Sequence, residues 1–253
     1  MIEIFTLCGF SLLAGFIDAV VGGGGLIQLP AMLIVLPHTA IAPILGTSKF
    51  VSISGTTIAV HQYAQQQKIE WGTTIPAMVT AFIFSFLGAR TTNLLNPNLM
   101  RPVILVLLIS VAIYTFNKKD FGLLQTSKLS RSQQWLYSVA IGCVVGFYDG
   151  FFGPGTGSFL IFAFVGIFGY SFLTSSASAK VINFSTNLAA LLYFAFTNNV
   201  IYQIGIPMAI CNILGAFCGT KLAISKGSQF VRKLFLVIVS LLILKLGYDT
   251  IYQ

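Results

Sequence analysis

Charge is scarce in this chain. Of its 253 residues only 8% are Asp, Glu, Lys or Arg, and only six are acidic, against about 25% charged residues in an ordinary soluble domain. With 56% apolar residues and a mean hydropathy of +0.90, so few charges cannot keep a 27.3 kDa globule in solution. Two histidines, His38 and His61, are too few for a His-rich metal site, and neither a metal nor another cofactor is expected. The four cysteines (Cys8, Cys143, Cys211, Cys218) form no CxxC pair and lie in apolar stretches, where they read as small core residues. The apolar runs are long and unbroken by polar alternation, which excludes a transmembrane barrel. No aromatic-interleaved basic patch accompanies the net charge of +8, so nucleic acid is not an expected partner. That excess fits loops beside an anionic cytoplasmic leaflet.

What is abundant is long apolar sequence, and in lipid that means helices. The chain reads as an all-α polytopic membrane protein. Apolar segments are expected at 4–21, 26–36, 46–63, 73–95, 101–117, 135–152, 158–168, 176–197, 203–224 and 230–250. The first carries Glu3 and Asp18 and has no basic region before it, so it is expected to stay in the mature protein. Lys118, Lys119, Lys128 and Arg131 fall in the central polar stretch, and Lys226, Arg232 and Lys233 in the last connection. The positive-inside rule therefore places both in the cytoplasm, with both termini outside. Segments 4–36 and 135–168 must each enter and leave on one side. A continuous 34-residue helix would be about 51 Å long against a core of about 30 Å, so each is a helical hairpin broken at its glycines.

A shift of 131 positions superposes the chain on itself without a gap. Asp18 meets Asp149, Gly22 meets Gly153, Lys49 meets Lys180, Pro76 meets Pro207 and Gly88 meets Gly219. One offset serving a whole half signals duplication: a repeat over 1–117, a linker over 118–134 and a second repeat over 135–253. One hairpin plus about three crossings is an odd number of spans, so the copies should lie inverted. That arrangement is common among secondary transporters, in which one half rocks against the other.

Each second half-helix of a hairpin starts at its break, leaving free N–H groups and a positive dipole end deep in the membrane. Two such ends meeting form an anion site. The expected binding residues are Gly22, Gly23, Gly24 and Gly25 in the first break and Gly153, Gly155, Thr156 and Gly157 in the second. Lys49 and Lys180, at matching repeat positions, would supply charge, because a lysine facing a bundle interior is costly and normally functional. Thr47, Ser48, Ser52, Ser178, Asn183 and Asn187 are candidate lining groups. Asp18 and Asp149, four residues before each break, could accept the free amides, pair with a lysine, or act as protonatable coupling groups. No P-loop lysine follows either glycine run, and no nucleophile–base set is visible, so neither nucleotide binding nor catalysis is expected.

The stretches AGFIDAVVGGGGLIQLPAML (14–33), GTSKF (46–50), GCVVGFYDGFFGPGTGSF (142–159) and ASAKVINFSTN (177–187) resemble the TauE/SafE family of membrane transporters, named for sulfite and organosulfonate export. The likeness runs nearly the full length, and is strongest to a branch described as probable membrane transporter proteins of the bacterial inner membrane. It implies two related halves and a small sulfur-containing anion as substrate. The second break departs from the first in having Pro154 where the first has Gly23. The partners expected are thus a small anion, the lipid bilayer and, in a homodimer, a second copy. The expected activity is export of an oxyanion by alternating access, with an anion channel built on the same site as the alternative.

Overall fold

A computed structural model of the chain describes residues 2–92 and 129–252. The expected segment 101–117, Arg101 and Lys118, Lys119 and Lys128 lie outside the described residues. Within them the protein is helical: α1 (Ile2–Val21), α2 (Gly25–Val35), α3 (Ile41–Gln66), α4 (Trp71–Arg90), α5 (Arg131–Phe151), α6 (Thr156–Phe168), α7 (Phe172–Phe196) and α8 (Tyr202–Tyr252). Four of them, α1, α4, α7 and α8 as far as Val237, are long and apolar enough to cross a membrane. The chain is a multi-pass membrane protein.

Local chemistry sets the boundaries. Ser130 and Gln133 form a reciprocal capping box at the start of α5, and Ser171 caps α7 through the Thr174 amide. Helix α3 begins five residues before its expected start, because Pro43 falls in a first turn where a missing N–H costs nothing. The expected loop between 224 and 230 is instead a kink inside α8 at Gly227, where φ is +78°. The first arms of the two hairpins fall close to the expected 4–21 and 135–152. At 20 and 21 residues, α1 and α5 are full-length helices of about 30 Å, and only α2 and α6 are short.

Helix directions follow from the contacts. Ser11 meets Met208 and Gly15 meets Asn212, so α1 and α8 run parallel; Thr47 meets Ile201 and Gly55 meets Asn212, so α3 joins them. Likewise Ala77 meets Gly142 and Ser85 meets Gly150, while Thr73 meets Tyr170 and Ser85 meets Thr186, so α4, α5 and α7 run parallel. The two sets oppose each other: Gly46 lies beside Phe194, whereas Tyr63 and Lys180 both reach the far end of α1. Repeat mates α1/α5, α3/α7 and α4/α8 therefore point in opposite directions, an inverted repeat. One face of the molecule collects the starts of α4, α5 and α7 and the Gly227 kink, and with them Lys68, Arg131, Lys226 and the exposed Trp71 and Trp135.

Candidate functional site

Both hairpins break where the backbone turns left-handed, with φ of +77° at Gly22 and +96° at Gly153. An L side chain holds such a conformation only at a cost of about 1–2 kcal/mol. The two tips touch. Gly22 lies against Gly157 so closely that a Cβ on it would sit 2.5 Å from the Gly157 Cα. The Ser158 amide donates to the Gly22 carbonyl at 3.0 Å, and its hydroxyl donates to the Val21 carbonyl at 2.8 Å.

Between the tips is a cavity of about 30 Å³, room for about two waters. Ser52 and Asn183 face it from near the midpoints of α3 and α7, so it lies deep in the bundle. Gly22, Gly25, Gly153, Gly155, Thr156, Gly157 and Lys49 line it, together with Asp18, Asp149, Ser48, Ser52, Asn183 and Asn187. Gly23, Gly24, Lys180, Thr47 and Ser178 are not among the lining residues. Gly24 is covered by Ala14 and Asp18, where α2 folds back on α1. The Thr47 hydroxyl donates to the Pro43 carbonyl at 2.7 Å and accepts from the Ile201 amide at 2.8 Å, tying α3 to α8. Ser178 is fully buried. Leu29, Leu45, Phe152 and Pro154, which sequence reasoning did not select, give the cavity apolar walls.

Three buried charges, Lys49, Asp149 and Lys180, and the half-buried Asp18 organise the site. Lys49 Nζ lies 2.9 Å from Asp149 Oδ2, and Lys180 Nζ lies 2.7 Å from Asp18 Oδ2 while also donating to the Asp18 carbonyl. Each pair joins the two halves, and the repeat offset converts one pair into the other. The lysine charges are thus cancelled, leaving a neutral quartet. The pairs are not equivalent: the Asp18 side chain is 22% exposed, but Asp149 only 3%, with Lys49 at 7% and Lys180 at 1%. The helix ends add less donor capacity than a simple count implies. Leu26 N turns back to the Gly23 carbonyl, Thr156 N turns back to the Gly153 carbonyl, and Pro154 has no amide to offer.

Sequence reasoning missed a polar chain that braces the first break. Gln28 donates to the Ser48 hydroxyl at 2.9 Å, and Asn212 donates to the Gln28 side-chain carbonyl at 3.3 Å and to the Ser11 carbonyl at 3.0 Å. The available signal was one amide side chain in each of two apolar runs, LIQLP and AICNIL. A second unforeseen feature is asymmetry. The hydroxyls of Ser175 and Thr220 are buried without a hydrogen-bond partner among the described residues, while their repeat mates are Ile44 and Ala89.

A family model described as Sulfite exporter TauE/SafE matches residues 7–246. The chain belongs to the TauE/SafE family. Among its relatives, the probable membrane transporter protein ORF9 of Sinorhizobium sp is 32% identical over 239 residues, 94% of this chain and 89% of that protein. The probable membrane transporter protein YfcA of Escherichia coli K12 is 30% identical over 240 residues, 95% of this chain and 88% of that one. A probable membrane transporter protein of Haemophilus influenzae is 30% identical over 249 residues, 98% and 95% of the two chains. As a TauE/SafE protein the chain is a membrane transporter, and its glycine breaks and reciprocal ion pairs sit together at the contact between the two inverted repeats.

Proposed function

We propose that this TauE/SafE transporter exports a small oxyanion, sulfite or a sulfonate, across the bacterial inner membrane by alternating access, and that a proton travels with it. The observation that carries this reading is the neutral quartet. A bare anion entering the cavity must compete with the Asp149 carboxylate for Lys49. Protonating Asp149 removes the competitor and leaves Lys49 and the tip backbone at Gly155 and Gly157 facing the anion. Release of the proton restores the ion pair and expels the anion. The cavity, with room for about two waters, must widen to admit a sulfur oxyanion, so binding and conformational change are linked. One proton per monoanion moves no net charge. Direction is then set by the anion and proton gradients together, and export requires a high internal anion concentration. The face rich in Lys68, Arg131 and Lys226 is the cytoplasmic one in this reading.

Purified protein in proteoliposomes tests it. Radiolabelled sulfite flux should saturate, show counterflow with unlabelled sulfite, and acidify or alkalinise the lumen with the anion. Lys49→Ala should lower that flux at least tenfold in folded protein. Non-saturating flux without counterflow would establish the channel instead, and unchanged flux in Lys49→Ala would remove the lysine from the site.

A further inference from the structure

Alternating access needs two bodies, and a duplicated sequence suggests that they are its halves. The contacts divide the molecule differently. One bundle contains α1, α2, α3 and the part of α8 before Gly227. Its seams are backbone-close: a Cβ on Gly15 would overlap the Asn212 carbonyl, and one on Gly219 would overlap the Phe16 carbonyl. Ser11, Gln28, Ser48 and Asn212 knit all four of its helices together through hydrogen bonds. The other bundle contains α4, α5, α6 and α7. A Cβ on Gly146 would overlap the Ala81 backbone, and one on Gly88 would overlap the Phe147 carbonyl. Ser85 and Ser185 bond α4 to α7 at 2.8 and 3.1 Å, and Tyr148 donates to the Pro154 carbonyl at 2.6 Å. Repeat mates form corresponding seams in the two bundles, so the division is itself two-fold.

The halves have exchanged a helix: α4 of the first packs into the second bundle, and α8 of the second packs into the first. The bundles meet along α3 and α7, where Gly46 packs on Phe194 and Asn199, and at the hairpin tips. Both Lys–Asp pairs cross between them, Lys49 to Asp149 and Lys180 to Asp18, and the tip contacts of Gly22 with Gly157 and Ser158 cross there too. Among the described residues the chain passes from one bundle to the other at 67–70 and at 197–201, which are repeat mates, and again after Gly227, where Ser228 and Phe235 reach Leu173 and Phe172. Asn198 in the second of these links has φ of +56°.

We infer that the bodies which move in transport are these two helix-exchanged bundles, not the sequence repeats, and that the two Lys–Asp pairs are the latch between them. Within each bundle backbone-close glycine seams run along whole helices, whereas between the bundles such contact is confined to the tip pair Gly22/Gly157 and to Gly46; a short packed contact can switch between discrete arrangements more readily than a long one. Ion pairs that an anion and a proton can open are the contacts suited to alternate. This inference rests on the carrier reading above, and it assigns a job to charges that a static binding site would not require to bridge two bodies.

The molecule carries its own probe. Cys8 and Cys211 face each other across the α1/α8 seam, interacting through their side chains, at the positions whose repeat mates Val139 and Thr80 touch at 3.4 Å. They belong to different halves but to one bundle. With Cys143 and Cys218 replaced by Ser, a short bis-methanethiosulfonate should link Cys8 to Cys211 in proteoliposomes. Sulfite flux should stay within twofold of the unlinked protein. A Thr80→Cys/Val139→Cys pair in a background lacking the native cysteines should behave alike. Linking Val21→Cys to Ser158→Cys, which joins the bundles, should reduce flux at least tenfold, reversibly on thiol reduction. Loss of flux on linking Cys8 to Cys211, no linkage at that seam, or full flux with the bundles joined would each overturn the inference. Absence of sulfite flux before any linking would instead count against the proposed substrate and leave the seams to be judged by linkage yield alone.

Discussion

Asp149→Asn isolates the charge logic of the site, since it keeps the shape of the side chain and removes only its charge. Lys49 and Asp149 have side-chain exposures of 7% and 3%, so the buried regime applies rather than the 0–1 kcal/mol of a surface pair. Deleting one partner of a buried pair strands the other charge and costs about 3–5 kcal/mol. For a chain of this size that corresponds to about 6–20 °C in Tm. The stranded Lys49 is also the group that the substrate anion should satisfy. Sulfite at one hundred times its Kd returns about 2.7 kcal/mol by mass action, so much of the lost stability should reappear when the anion is added. In the unmodified protein the anion should have to displace the Asp149 carboxylate from Lys49, so the Asn variant should bind it more tightly. Thermal unfolding in detergent with and without sulfite, over a pH series and with chloride as control, measures both quantities. Sulfite stabilisation no larger in Asp149→Asn than in the unmodified protein would refute the proton-for-anion exchange.

The tip contact makes unequal demands on its glycines. Gly22→Ala should incur about 1–2 kcal/mol of backbone strain and also drive a Cβ into Gly157, which nothing can relieve, so both Tm and flux should collapse. Gly155→Ala carries the same strain at φ +85°, but its Cβ meets only the movable Leu26 Cδ1 at 3.2 Å. It should lose about 1–2 kcal/mol and stay folded; equal Tm losses in the two variants would show that the tips do not touch as described. Asn212→Ala removes the donor to Gln28 Oε1 and to the Ser11 carbonyl. The Ser11 carbonyl keeps its helical donor, so the one acceptor left unsatisfied, Gln28 Oε1, should cost about 1–3 kcal/mol, measured as a fall in the unfolding midpoint, and a loss under 0.5 kcal/mol would contradict the bracing role.

Segments, breaks and inversion were legible because each follows from a one-dimensional constraint: apolar length against bilayer thickness, glycine at a turn, an odd number of spans. The matching of Asp18 with Asp149 and Lys49 with Lys180 was legible for the same reason. What could not be read is which lysine meets which aspartate. A repeat offset relates a residue to its copy, and it says nothing of whether Lys49 pairs with Asp18 of its own half or with Asp149 of the other. That choice is made by the two-fold contact between the hairpins, which carries each tip to the crossing helix of the opposite half. The same geometry explains why α4 and α8 change places. A hairpin whose first arm is a full 30 Å helix needs a partner helix along its whole length, and the helix offering a small-residue face in the right register, Gly215 and Gly219 against Leu12 and Phe16, comes from the other repeat. The exchanged helices and the crossed ion pairs are therefore two consequences of one packing choice. The repeats differ around it: Leu45 walls the cavity on one side, while its mate on the other is the buried Ser176.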